Sequence, residues 1–393
     1  QLADVAAAEG VDVIVHDDDL ADVATAAAVE LVGEAELLAL AEQRSYLPLL
    51  PVRQQGRAVI LTSGTTGRPK GARRGGQGSA EALGPLLQVI PIRARDTVVV
   101  AAPLFHAWGL VHLGVGMSMS STVVLQRSFD PTATLASVAE HEADGLAVVP
   151  VMLQRILDLP DDELSRFDTS SLRYIAASGS ALGAPLVRAV ADRFGPILYN
   201  CYGSTEVSMA TVAGPADLAA APSTAGRAVP GTAVRILDEA GAEVPPGVTG
   251  RIFVGSSSRF EGYTGGGTKA SVDGLLSSGD VGHLDGHGRL FVEGRDDDMI
   301  VSGGENVFPA EVEDLLAAHP AVAEVAVVGI PDEQFGQRLK AVVVRRRGAR
   351  LTAAQVRKHV RANLARYKVP RDVQFVAALP RTATGKVRRV ELR

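Results

Sequence analysis

Short apolar runs and helix-period stripes alternate along the first 225 residues. The runs Ala58-Val59-Ile60-Leu61, Val98-Val99-Val100-Ala101, Val123-Val124-Leu125, Leu146 to Val149, Tyr174-Ile175-Ala176-Ala177 and Ile197-Leu198-Tyr199 are buried-strand candidates. Helices are expected between them. Asp130 followed by Pro131 gives an N-cap and first-turn pair, with Leu135, Val138 and Ala139 as the apolar stripe. Further helices are expected from Val151 to Leu157 and from Pro185 to Phe194, the latter stopped by Gly195. Residues 1–50 are alanine-rich, with a short strand at Val13-Ile14-Val15 and helical spacing around Leu31, Leu37, Leu38 and Leu40. Arg73 to Ala80 reads as a polar linker. Strands alternating with helices predict an α/β fold with a largely parallel sheet covered on both faces.

The texture changes after residue 225. Val234 to Leu237, Arg251 to Val254, Val281 to Leu284 and Arg289 to Val292 are short strands separated by Asp/Gly turns, which predicts an antiparallel β subdomain over about 225–295. A final α+β unit is expected over 297–393. Pro309 opens a helix with Val312, Leu315 and Leu316 on one face, and Val325 to Ile330 and Leu339 to Val344 are strands. Thr352 and Gln355 form a capping box for a helix with Val356, Val360 and Leu364 inward. The expected organisation is a 1–296 domain and a 297–393 domain.

Composition narrows the function classes. The 393 residues are 46% hydrophobic and 21% charged with a net charge of -6, so no basic face for nucleic acid is implied. The single cysteine, Cys201, excludes a disulfide framework and a multi-cysteine zinc site, and points to a reducing cytoplasm. Thr97 to Gln126 carries no charged residue, but Pro103, His106 and His112 interrupt it. It reads as strand, loop, helix and strand within a core rather than a membrane span. Peripheral membrane contact stays open.

Candidate chemistry begins at Thr62-Ser63-Gly64-Thr65-Thr66-Gly67-Arg68-Pro69-Lys70-Gly71. Its glycines allow positive φ and close approach to main-chain N–H groups. Ser63, Thr65 and Thr66 add hydroxyls and Lys70 a cation, an inventory suited to polyphosphate. It is not the ordinary P-loop, because Gly71 follows the lysine where a hydroxyl should hold magnesium.

The stretch resembles the phosphate loop T-S-G-T-T-G-x-P-K-G of the adenylate-forming superfamily, which comprises acyl-CoA synthetases, carrier-protein adenylation domains and luciferases. Every fixed position matches, and the resemblance runs from about residue 55 to the end. Ala72-Arg73-Arg74-Gly75-Gly76 departs from the family's usual continuation, and family members usually carry a further segment before the stretch matching residue 1. The expectation is an adenylate-forming fold whose N-terminal AMP-binding domain is truncated at its start, followed by a small mobile C-terminal domain.

The resemblance also implies roles. Thr62, Ser63, Gly64, Thr65, Thr66, Gly67 and Lys70 would cradle phosphate. Tyr202-Gly203-Ser204-Thr205-Glu206, read as sitting just past a strand, is similar to the Y-G-x-T-E motif. Tyr202 would then pack on adenine, Thr205 meet phosphates and Glu206 bind Mg²⁺, with Asn200 at the adenine edge. Gly179 and Ser180 resemble a loop against adenine, Asp280 the ribose carboxylate, and Arg295 a ribose or phosphate contact. Asp297 fits the hinge, and Gly303 and Gly304 border the pantetheine tunnel. Lys386, in P-x-T-x-x-G-K, would neutralise transition-state charge, and His106 would line and gate the acyl pocket.

The implied activity is an ATP- and Mg²⁺-dependent acyl-CoA ligase that forms acyl-AMP and passes the acyl group to coenzyme A. The uncharged stretch from Leu104 to Leu125 suggests an apolar channel and so a fatty acid, with an aryl acid as the alternative. Two other readings are a ligase loading a carrier protein and a non-catalytic nucleotide-binding remnant.

Overall fold

A computed structural model describes residues 2–42, 59–63, 69–75, 79–256, 259–264, 266–302, 305–382 and 386–393. The chain divides into two compact units, one formed by Gln1–Gly76 with Arg259–Lys269 and the other by Gln77–Ser258 with Ala270–Arg393.

In the first unit, strands Val13–His16 and Glu30–Gly33 pair in parallel, flanked by helices Leu2–Glu9 and Glu34–Glu42. Leu31 therefore lies in a strand, not in the helix its spacing suggested, and only Leu37, Leu38 and Leu40 are helical. Strands Ile60–Ser63 and Pro69–Gly75 are antiparallel, with Thr62 opposite Lys70 and Ser63 opposite Pro69. Arg73, Arg74 and Gly75, expected in a linker, belong to this second strand. They pair with Arg259–Tyr263, which leaves the expected β subdomain to complete a three-stranded sheet. This strand is the central one of the three, so backbone pairing on both sides, and not side-chain polarity, sets its course.

The second unit contains three sheets. The first has seven strands in the order Arg227–Ala228, Ser208–Ala213, Leu198–Ser204, Tyr174–Ala177, Gly145–Val148, Thr97–Val100, Thr122–Leu125. The last five are mutually parallel, and Ser208–Ala213 pairs antiparallel with both its neighbours. Val99, Leu146, Val148 and Ile175 are fully buried, as expected for parallel strands covered by helices. Asp130 caps helix Pro131–Glu140 by accepting from Ala133 N–H at 2.8 Å, and helix Ala184–Phe194 ends at Gly195.

The β subdomain orders Ala233–Leu237, Gly250–Gly255, Leu275–Leu284 and Ser271–Val272, with Leu290–Arg295 also paired to Leu275–Leu284. Its core residues Ile236, Ile252, Val254 and Leu290 close over Val207 and Ala210, so it packs on the hairpin that ends the parallel sheet. The C-terminal sheet pairs Val322–Asp332 with Gly336–Arg345, to which Asp372–Val376 adds in parallel. Helices Pro309–Ala317 and Ala353–Asn363 cover it through Val312, Leu316, Val356 and Val360. The Thr352–Gln355 capping box is present. Among the described residues no helix is long and apolar enough to cross a membrane.

Candidate active site

The parallel strands deliver their carboxyl ends to one edge, where open α/β sheets bind ligands. Strand Leu198–Ser204 runs further than its sequence suggested. Tyr202, Gly203 and Ser204 remain paired with Ser208–Ala213, and only residues 205–207 form the turn. The antiparallel partner supplies the hydrogen bonds that extend it. A Cβ on Gly203 would lie 2.0 Å from the Ser208 carbonyl oxygen, so only glycine fits where the hairpin closes. Ser204 organises the turn: its hydroxyl donates to Glu206 Oε2 at 2.9 Å and accepts from the Glu206 and Val207 amides at 3.2 and 3.3 Å. The Glu206 carboxylate is thereby held in place beside Thr205.

Tyr202 Oη donates to Asp280 Oδ2 at 2.6 Å. Burial, followed by the Asp280 charge, raises the phenol well above its usual pKa, so it stays a donor. Asp280 is the cross-strand partner of Arg295, whose guanidinium lies 3.9 Å from Oδ1. The Ser278 hydroxyl accepts from the Asp280 amide at 3.1 Å and donates to Ile252 O at 3.1 Å, which fixes the strand under the carboxylate. Asn200, expected at the adenine edge, is buried and donates its amide to Thr224 O at 3.0 Å. That donor serves the junction between sheet and subdomain.

His106 caps helix Ala107–Ser118, its Nδ1 accepting from Trp108 N–H at 3.2 Å. The neutral ring therefore carries its proton on Nε2. Gly179, at φ +98°, sits against this ring, with a hypothetical Cβ 3.7 Å from His106 Cε1. Ser180 beside it is exposed. Trp108 Nε1 donates to Val148 O at 3.0 Å, locking the helix onto the end of its strand.

Lys386 arrives from the C-terminal domain on a short hairpin. Thr382 N–H donates to Lys386 O at 2.8 Å, Lys386 N–H donates to Thr382 Oγ1 at 3.1 Å, and Arg381 bridges Val387. Arg389 ties the following turn to Glu313 at 2.6 and 2.8 Å and to Val327 O at 2.7 Å. The residue keeps solvent access, yet surrounding protein partly desolvates its ammonium. That desolvation, then Arg295, lowers its pKa, while Asp280 and Glu206 pull it the other way. His106 is lowered by burial and then by Lys386. Lys386 is therefore within electrostatic range of four other expected site residues: His106, Glu206, Asp280 and Arg295.

Thr62, Ser63 and Lys70 lie in the paired strands of the first unit. Gly64, Thr65, Thr66, Gly67, Gly303 and Gly304 lie outside the described residues. Asp297 lies in the single turn Asp296–Asp298 before strand Ile300–Ser302. Two features escaped the sequence reading. One is the Ser204 turn. The other is His112, which lies one turn beyond Trp108 on the helix face that turns inward; a polar residue four positions after a buried tryptophan was the available signal.

The AMP-binding enzyme family model matches residues 2–264, and the model of that enzyme's C-terminal domain matches residues 311–386. An indoleacetate–CoA ligase of Aromatoleum aromaticum is 39% identical over 85% of this chain and 66% of its own length. A feruloyl-CoA synthase of an Amycolatopsis species is 36% identical over all of this chain and 81% of its own length. The crystal structure of ATP-bound MatB from Rhodopseudomonas palustris superposes on the whole chain with a TM-score of 0.90 at 30% identity, covering 80% of that protein. The chain thus spans about two thirds of the indoleacetate ligase and four fifths of the feruloyl-CoA synthase. It belongs to the AMP-binding enzyme family, within the adenylate-forming superfamily, and has that superfamily's mixed α/β fold with a C-terminal α+β domain.

Proposed function

We propose that the protein is an ATP-dependent acyl-CoA ligase. The observation that carries this reading is that Lys386, from the C-terminal domain, lies within electrostatic range of Glu206, Asp280, Arg295 and His106. A carboxylate oxygen of the acid attacks the α-phosphorus of ATP, and pyrophosphate leaves. Lys386 offsets the negative charge that grows on the phosphorus oxygens. Asp280, held by Tyr202, accepts the ribose hydroxyls, and the Tyr202 ring packs on adenine. Neutral His106 offers Nε2–H at the acyl end. The resemblance assigns the outer phosphates to the glycine- and threonine-rich stretch from Thr62 to Lys70.

Glu206 suits Mg²⁺. A carboxylate held in place by the Ser204 hydroxyl fits a cation that takes its other ligands from phosphate and water. Bound there, Mg²⁺ would neutralise phosphate charge. In the second step the C-terminal domain turns about Asp297 and brings Gly303 and Gly304 to the site. The sulfur of coenzyme A then bonds to the acyl carbon and AMP departs.

The acid we infer carries a ring rather than a fatty chain. Indoleacetate and feruloyl ligases are among the relatives. The uncharged stretch that suggested a fatty channel buries Trp108 and Val115 in the core and leaves Met117 74% exposed, so its apolar residues are spent on packing and surface. Thioester formation with free coenzyme A, set against a phosphopantetheinyl carrier protein, tests the acceptor. Transfer to the carrier alone would refute the CoA assignment.

A further inference from the structure

His112 is 2% exposed, and its two ring nitrogens have different fates. Nδ1 lies 3.1 Å from the Trp108 carbonyl oxygen. A carbonyl only accepts, so Nδ1 carries the proton and Nε2 presents a bare lone pair. That Nε2 is buried and meets no hydrogen-bond donor among the described residues. Burial holds the imidazole neutral, its pKa near 4, so the lone pair persists at neutral pH. A buried acceptor without a donor is costly and uncommon, and calls for a donor that the described residues do not supply.

The surroundings say where such a donor would come from. The His112 ring stands edge-on to Trp108 with centroids 4.3 Å apart. The Trp108 indole is fixed to Val148 O at the end of its strand, and the Trp108 amide is bonded to His106. His106 in turn faces Gly179 and Lys386. His106, Trp108 and His112 thus form one connected wall over the first two turns of the helix. Its outer end faces Gly179 and Lys386 and its inner end is the His112 Nε2 acceptor.

We propose that His112 Nε2 is a specificity-determining acceptor that selects carboxylic acids bearing a ring N–H or O–H donor at the end remote from the carboxylate. The inference rests on the ligase reading above and refines its substrate class. A donor-bearing acid satisfies the imidazole on binding. An isostere without the donor leaves it buried and unpaired, which is the stronger form of discrimination.

The test is acid-dependent ATP–pyrophosphate exchange with matched acids: indole-3-acetate against 1-benzothiophene-3-acetate, and 4-hydroxycinnamate against 4-methylcinnamate. The expected result is a preference in kcat/KM of about tenfold or more for the donor-bearing member of at least one pair. His112→Leu should collapse that ratio toward one, mainly through KM. His112→Gln, which restores an acceptor near the same place, should recover it and also guards against misfolding of the leucine variant. Exchange with both members of each pair at equal efficiency would overturn the inference and leave the ligase reading intact. A preference unchanged in both variants would do the same. Exchange with no acid would overturn the ligase reading, and this inference with it.

Discussion

Tyr202 and Asp280, 78 positions apart, meet through a 2.6 Å phenol-to-carboxylate hydrogen bond. One oxygen of Asp280 is thereby fixed and the other faces Arg295. The Tyr202→Phe variant keeps the ring and loses only this bond. It should raise the KM for ATP roughly tenfold with a smaller change in kcat, the size expected for a hydrogen bond to a charged group. Added to Asp280→Ala, it should cost little more. Steady-state kinetics of the single and double variants check this, and additive losses would contradict it.

Lys386 reaches the site from a separate domain, so its contribution is expected to belong to one half-reaction. Lys386→Ala should lower acyl-adenylate formation by about 10²–10³-fold, the usual effect of removing a group aimed at developing charge. Thioester formation from supplied acyl-AMP should be largely spared. Equal loss of both steps would refute the role.

Gly203 closes the hairpin that carries Glu206. A methyl group there meets the Ser208 carbonyl at 2.0 Å, a backbone atom that cannot move aside alone. Gly203→Ala should therefore depress adenylation and lower the melting temperature together, whereas Thr205→Ala should affect activity with little change in melting. Differential scanning calorimetry beside the exchange assay separates the two.

Much of this arrangement was legible in the chain because its signals are local. The parallel strands announce themselves as unbroken apolar runs, the caps at Asp130 and Thr352 sit at their proper offsets, and the glycine-rich and Lys386 motifs are contiguous strings. What escaped was set by pairing over distance. Nothing near Arg73 foretells that it pairs with the strand at residues 259–263, and nothing near Ser204 foretells that its strand continues. Leu31 satisfied a helical period while belonging to a strand, since four-residue elements are too short for period alone to decide. The Asn200 amide donates to the Thr224 carbonyl, a partner that only the fold brings near.

His112 makes stability pH-dependent with a definite sign. Its folded pKa of about 4 lies below the unfolded value of 6.5, so between these values the unfolded chain binds the extra proton. The contribution is complete above pH 6.5 and is lost as pH falls toward 4. It amounts to roughly 3 kcal/mol. Urea unfolding followed by the fluorescence of Trp108, the sole tryptophan, should show this loss between pH 7 and pH 4.5. His112→Gln should lose less over the same range. An identical pH dependence in both proteins would contradict the assignment.

The most direct measurement of the central claim is ATP–pyrophosphate exchange by this 393-residue chain with Mg²⁺ and a panel of ring-bearing and fatty acids. The account predicts exchange that requires an acid, favours the ring-bearing ones and disappears in Lys386→Ala. Acid-independent exchange, or none with any acid on the panel, would contradict it.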